Sequence, residues 1–150
     1  MKLIPSGLFY TAILSSVIMN SHASSSMCKE IGGMALANAV DDTHMVAALS
    51  GELSGGARAE ITAQKKTTSG LSLEMTHHFI SDKGGLLKTH DTATLTAVPN
   101  KHKTYMLEIT YNVVETSGIY AGYTGHFQSF GLINLDKGKA VLRYTGNICQ

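Results

Sequence analysis

From about residue 56 onward, apolar and polar residues alternate with a period of two, and this pattern constrains the fold more than any other feature of the chain. In 57–64, Ala57, Ala59, Ile61 and Ala63 alternate with Arg58, Glu60, Thr62 and Gln64. In 71–80, Leu71, Leu73, Met75 and Phe79 share one face, while Ser72, Glu74, Thr76 and His78 share the other. In 86–98, Leu87, Ala93, Leu95 and Ala97 oppose Lys88, His90, Thr92, Thr94 and Thr96. In 104–114, Tyr105, Leu107, Ile109, Tyr111 and Val113 oppose Glu108, Thr110 and Asn112. Two more runs, 123–135 and 139–149, are rich in aromatic and aliphatic residues. Successive side chains of a strand point to opposite faces, so alternation of this kind marks strands buried on one side only.

The connections fit short antiparallel strands. Asp82-Lys83-Gly84 and Asp136-Lys137-Gly138 are the same tripeptide, each between two runs. In such a turn Asp closes the start through its side chain and Gly takes the positive φ. Gly70 ends a Lys65–Ser69 turn, and Pro99-Asn100 opens another. In 29–55 the pattern weakens. Met34-Ala35-Leu36-Ala37-Asn38-Ala39 has a helix-favouring composition, but Gly32-Gly33 and Asp41-Asp42 confine any helix to two turns, and one or two strands are expected instead. The total of seven or eight strands predicts an all-β fold. A small closed antiparallel β-barrel of about eight strands is favoured over a sandwich, because closure removes exposed edges.

The N-terminus reads as an address. Lys2 gives a minimal positive start, Leu8–Met19 is uncharged and mostly apolar, and Ser21-His22-Ala23 puts small residues at the −3 and −1 positions of a cleavage point. The apolar stretch is shorter than the roughly 20 residues a membrane-spanning helix needs. Residues 1–23 are therefore expected to be a cleaved signal peptide, and 24–150 a single domain. Lipidation at Cys28 would need a small residue before it and an apolar one at −3, but Met27 and Ser25 stand there. Secretion or delivery to a periplasm follows, with no integral membrane segment after cleavage. In an oxidising compartment the two cysteines, Cys28 and Cys149, are expected to form a disulfide joining the N- and C-terminal regions, which lie side by side in a closed barrel.

Charge excludes some partners. The chain has 12 Lys+Arg and 11 Asp+Glu, and loss of Lys2 with the signal balances the two. No basic cluster exceeds Lys65-Lys66 or the pair Lys101 and Lys103, so neither nucleic acid nor an anionic membrane is expected as the main partner.

The C-terminal third carries Gly118-Ile119-Tyr120-Ala121-Gly122-Tyr123-Thr124-Gly125-His126-Phe127, then Gly131, Gly138 and Leu142-Arg143-Tyr144-Thr145-Gly146-Asn147-Ile148-Cys149, with Gly84-Gly85-Leu86-Leu87 upstream. Over roughly 55–149 this glycine and aromatic placement resembles the allene-oxide-cyclase-like barrel group, which takes in plant dirigent proteins and many bacterial secreted proteins. The resemblance implies an eight-stranded antiparallel barrel whose lumen holds a small apolar ligand. The catalytic acidic and aromatic residues of the group's enzymes find no position-by-position match, so their activity is not carried over.

Two functional readings follow. One is non-catalytic binding of a small apolar ligand or a macromolecular partner. The other is an isomerase or cyclase acting on a lipid-derived substrate through a lumenal carboxylate. Glu74 and Glu108 are the carboxylate candidates: facing the lumen they would orient a ligand or move a proton, and facing solvent they are surface charges. Tyr105, Tyr111, Tyr120 and Tyr123 are the candidate ligand contacts, the last two because they flank the Gly-rich turn. His44, His77, His78, His90, His102 and His126 show neither His-x-His nor His-x-x-x-His spacing, and only facing strands would bring His78, His90 or His126 together. No metal and no cofactor is expected.

Overall fold

The computed structural model of the protein describes residues 27–150, and the expected signal peptide over 1–23 lies outside them. Every regular element among the described residues is a strand: β1 (Cys28–Ala39), β2 (His44–Gly51), β3 (Gly55–Lys66), β4 (Gly70–Ser81), β5 (Gly85–Ala97), β6 (Thr104–Gly118), β7 (Thr124–Asn134) and β8 (Lys139–Cys149). Each strand pairs antiparallel with the next, and β1 pairs with β8, giving a closed up-and-down barrel. Among the described residues no helix is long and apolar enough to cross a membrane.

The alternation in the sequence becomes an inside and an outside. Leu73, Met75 and Phe79 of β4, Leu87, Ala93 and Leu95 of β5, and Leu107, Ile109 and Tyr111 of β6 are all buried, with polar neighbours between them on the outer face. The repeated Asp-Lys-Gly turns place Gly84 and Gly138 at φ of 86° and 58°, which a side chain would resist. The ambiguous stretch 29–55 forms two strands. Its inward residues include the small Ala35, Ala37 and Ala47 beside Ile31, Met45 and Leu49, while Met34, Leu36 and Val46 point outward, so neither face looks polar.

One expected inward residue lies outside. A β-bulge between Ile61 and Ala63 leaves Ile61 opposite Met75 and Ala63 opposite Glu74, which turns Ala63 to solvent. The extra residue breaks the parity that sequence counting assumes.

The barrel ends where it begins. Cys28 lies directly across from Cys149 in the β1–β8 ladder, with their Cα atoms 4.0 Å apart, and the two are joined by a disulfide.

Its two ends differ. At one, the β2–β3 connection drops Leu53 into the lumen beside Tyr120 from the β6–β7 connection, both 1% exposed. Tyr120 donates its hydroxyl proton to the Glu52 carbonyl at 3.1 Å. The Tyr144 hydroxyl donates to the Ser50 carbonyl and accepts from the Leu53 N–H at 3.1 Å. Tyr144 reaches along the wall from β8 over β1 to Ser50 of β2 because Gly33, its neighbour in the ladder, has no Cβ to block the ring. This end is closed. The other, bearing the β1–β2, β3–β4, β5–β6 and β7–β8 turns, is open.

Candidate functional site: the lumen and its polar wall

The open end leads into an apolar space. A recess of about 250 Å³ lies inside the turns, bounded by Ile61, Leu71, Leu73, Leu95, Ile133 and Leu135 among others. Deeper lies a cavity of about 50 Å³ against Ala35, Ala37, Ala47, Ala57, Ala59 and Ala140 on one side, and His77, Phe79 and Tyr111 on the other. Met45, Met75 and Leu107 border both spaces, so they stand at the passage between them. The deeper cavity exists because β1, β2 and β3 line it with alanines rather than leucines, while β4 and β6 carry aromatic rings. It has room for only a few non-hydrogen atoms, and the outer recess is several times larger.

The rim is held by ionic groups. The Asp41 carboxylate accepts the Thr43 backbone N–H at 2.8 Å, pairs with the His44 ring at 2.9 Å and accepts the His44 backbone N–H at 2.8 Å, and these bonds hold its pKa well below the usual carboxylate range. Across the opening, Lys103 pairs with Asp136 at 2.8 Å, tying the β5–β6 turn to the β7–β8 turn.

Deeper on the inner wall lies a polar cluster on β4 to β7. His77 lies on the inward face of β4 with its Nδ1 2.7 Å from Oδ2 of Asp91 on β5, their side chains 10% and 0% exposed. The His77 ring stacks on Phe79 at 5.5 Å and meets Tyr111 edge-on at 5.0 Å. Tyr111 stacks on Phe127 at 4.5 Å, and its hydroxyl shares a hydrogen bond of 2.8 Å with Ser129. Burial holds the Tyr111 phenol well above the ordinary tyrosine range, and the charge of Asp91 adds to this. Among the described residues, Oδ1 of Asp91 and Oγ1 of the fully buried Thr89 have no hydrogen-bond partner. Each such orphan costs about 1–3 kcal/mol. A barrel built only for stability would carry Leu or Val at these positions.

Glu74 and Glu108 are both exposed on the outer face, away from the lumen. A cyclase working through either one therefore has no lumenal carboxylate from that pair, and Asp91 takes that place on the inner wall. Of the four tyrosines singled out, Tyr111 lines the deep cavity and Tyr120 is buried in the closed end. Tyr105 and Tyr123 are half-buried against the core. The outer histidines stay apart: His90 and His126 face Asn112 from opposite sides, and His78 lies between Arg58 and Lys88. Desolvation, then the charges of Arg58 and Lys88, lower the His78 pKa. No group of three or more metal-ligating side chains occurs among the described residues.

His77 and Asp91 escaped the sequence reading because they are polar residues on otherwise apolar faces. The signal was parity itself. Asp91 shares its face with Leu87, Ala93 and Leu95, and His77 shares its face with Leu73, Met75 and Phe79.

Comparison with protein-family models, curated proteins and solved structures finds no match, so the resemblance to the allene-oxide-cyclase-like barrels gains no support from them.

Proposed function

We propose that the protein is an exported carrier or receptor, working as a secreted or periplasmic protein, that binds a small, largely apolar molecule in the barrel lumen without transforming it. The observation that carries the reading is the asymmetry of the lumen. One end is filled by Leu53, Tyr120 and Tyr144, while the other opens through an apolar recess of about 250 Å³ onto a deeper cavity. A lumen serving only as a core would be packed throughout, since unfilled apolar volume costs stability. The Cys28–Cys149 disulfide suits an oxidising compartment.

The test is binding of a neutral fluorescent probe, N-phenylnaphthylamine, with native mass spectrometry of protein purified from its own host. Wild type is expected to bind the probe and to carry a co-purifying molecule. Ala47→Phe, which grows a ring into the deep cavity, is expected to weaken probe binding at least tenfold. Equal binding by wild type and Ala47→Phe, or no binding by either, overturns the proposal.

A further inference from the structure

We infer that His77 is the recognition group of the lumen and that the ligand it takes is a neutral apolar molecule ending in a hydroxyl, of the phenol or long-chain alcohol class. This rests on the lumenal-binding reading above. An ionised Asp91 can only accept hydrogen bonds, so the proton between it and His77 sits on Nδ1. In this tautomer, the form in which the ring accepts a hydrogen bond, Nε2 presents a lone pair. Nε2 has no partner within the protein among the described residues, and the ring lines the deep cavity. The Phe79 stack and the Tyr111 edge hold that ring in one orientation. The tautomer is thus fixed by its carboxylate, and the acceptor faces a space too small for more than an end group.

The charge around the site selects against an acid. No Lys or Arg lines either lumenal space, Asp41 and Asp42 stand at the outer recess, and Asp91 is buried behind His77. A ligand carboxylate would enter with no counter-charge, whereas a hydroxyl brings the donor that Nε2 lacks. The hydroxyl goes to His77, and the apolar body fills the recess lined by Leu71, Leu73 and Ile133.

Three matched probes decide the matter: para-butylphenol, butylbenzene and para-butylbenzoate, each titrated by calorimetry or by displacement of N-phenylnaphthylamine. The phenol is expected to bind about tenfold more tightly than butylbenzene, the contribution of one buried hydrogen bond, and the benzoate most weakly. The paired variant His77→Phe/Asp91→Leu, which leaves no unpaired buried charge, is expected to bind phenol and butylbenzene equally. Wild type supplies a second readout, a shift of the His77 Nε2 NMR resonance on adding the phenol but not butylbenzene. Equal affinities in wild type, tightest binding of the benzoate, or an unmoved resonance would overturn the inference while leaving lumenal binding intact. Failure of all three probes and of N-phenylnaphthylamine overturns both.

A different observation carries a second proposal. On the outside, the register places Ala48, Leu36, Val141, Leu132 and Met106 in one unbroken row across β2, β1, β8, β7 and β6. Leu36, Val141, Leu132 and Met106 are 56%, 49%, 48% and 44% exposed. The outer faces of β3, β4 and β5 carry mostly Thr, His and charged residues, with Ile80 of β4 the one large exposed apolar side chain among their described residues. Alongside this row, Phe130 of β7 is flanked in register by Arg143 on β8 and Glu108 on β6. Neither charge has an ion-pair partner in its own chain among the described residues.

We propose that this face binds a second copy of the chain about a two-fold axis running along β7. Such an axis lays β8 of one copy over β6 of the other. Leu132 and Phe130 then meet their own counterparts, Val141 meets Met106, and Arg143 meets Glu108 twice. Self-complementarity of this kind is what an isologous contact requires. The part of the row on β8, β7 and β6 spans about 10 Å at a strand spacing of about 4.8 Å and forms the apolar centre of the contact, while Leu36 and Ala48 curve away around the barrel.

Sedimentation velocity across the micromolar range is expected to show a dimer. Arg143→Glu and Glu108→Arg alone are expected to shift it to monomer, and the double exchange to restore it. A wild-type monomer throughout, or a double exchange that stays as weak as either single change, overturns the proposal.

Discussion

Reduction of the Cys28–Cys149 bond isolates the energetic contribution of barrel closure. The bond closes a loop of 121 residues. In the chain-entropy account, a loop of that length restricts the unfolded chain by about 5 kcal/mol at room temperature. The folded barrel has little to lose, because the β1–β8 ladder runs from Cys28 opposite Cys149 to Asn38 opposite Lys139 and does not depend on the bond. The effect should therefore fall almost wholly on the unfolded state. A domain of this size is stable by only about 5–15 kcal/mol, so the loss is a large fraction of the total. Urea unfolding of oxidised protein, reduced protein and the Cys28→Ser/Cys149→Ser variant is the assay. Stability should fall by about 5 kcal/mol, with a drop in melting temperature of about 20 °C. The urea dependence should steepen, since an unfolded chain freed of its cross-link exposes more surface. A loss below about 1 kcal/mol with an unchanged slope would refute the loop-entropy reasoning.

Asp91→Leu alone should destabilise the barrel by about 1–3 kcal/mol, because it leaves the buried Nδ1–H of His77 without its acceptor; adding His77→Phe should recover most of that, as a double-mutant cycle in urea would report. Gly33→Ala should cost about 1–3 kcal/mol, since its Cβ would overlap the Ser50 carbonyl oxygen and the Tyr144 hydroxyl; Gly84→Ala, with open space around it, should cost only the strain of φ 86°, about 1 kcal/mol. Burial raises the Tyr111, Tyr120 and Tyr144 phenols above their ordinary value. Above about pH 10 the unfolded chain loses those protons and the folded one keeps them, so stability should fall as pH rises, with late phenolate absorbance appearing at unfolding. Phenolate formation complete near pH 10 with the barrel still folded would contradict this.

The barrel was legible wherever one strand face met water and the other met large apolar side chains. From β3 to β8 the spacing of residues such as Leu71, Leu73 and Met75 carried the pattern, and the two Asp-Lys-Gly turns marked their own hairpins. It faded in β1 and β2, where alanines face in and Met34, Leu36 and Val46 face out. There the contrast depends on side-chain size, which a polar–apolar reading does not register. It failed locally at Ala63, where the bulge shifts the parity. The site was harder to see. Its members are single polar residues on apolar faces, and the sequence carries no sign of how His77 on β4 reaches diagonally to Asp91 on β5. The tyrosines lie in different settings for a related reason. Tyr120 lies beside the glycines of a turn, which suits it to sealing an end, whereas Tyr111 sits mid-strand on an inward position.

The alanines along β1, β2 and β3 have a consequence for how such a barrel changes over time. Each contributes only a methyl group to the deep cavity, and its backbone is held by ladder bonds that do not depend on the side chain. Exchange of Ala37, Ala47 or Ala57 for Val or Leu would narrow the space stepwise while the opposite wall kept Phe79, Tyr111 and Phe127 in their stack. If the lumen binds a ligand as proposed, its size is set on one wall and structural integrity on the other, and single substitutions could shift specificity without passing through an unfolded ancestor.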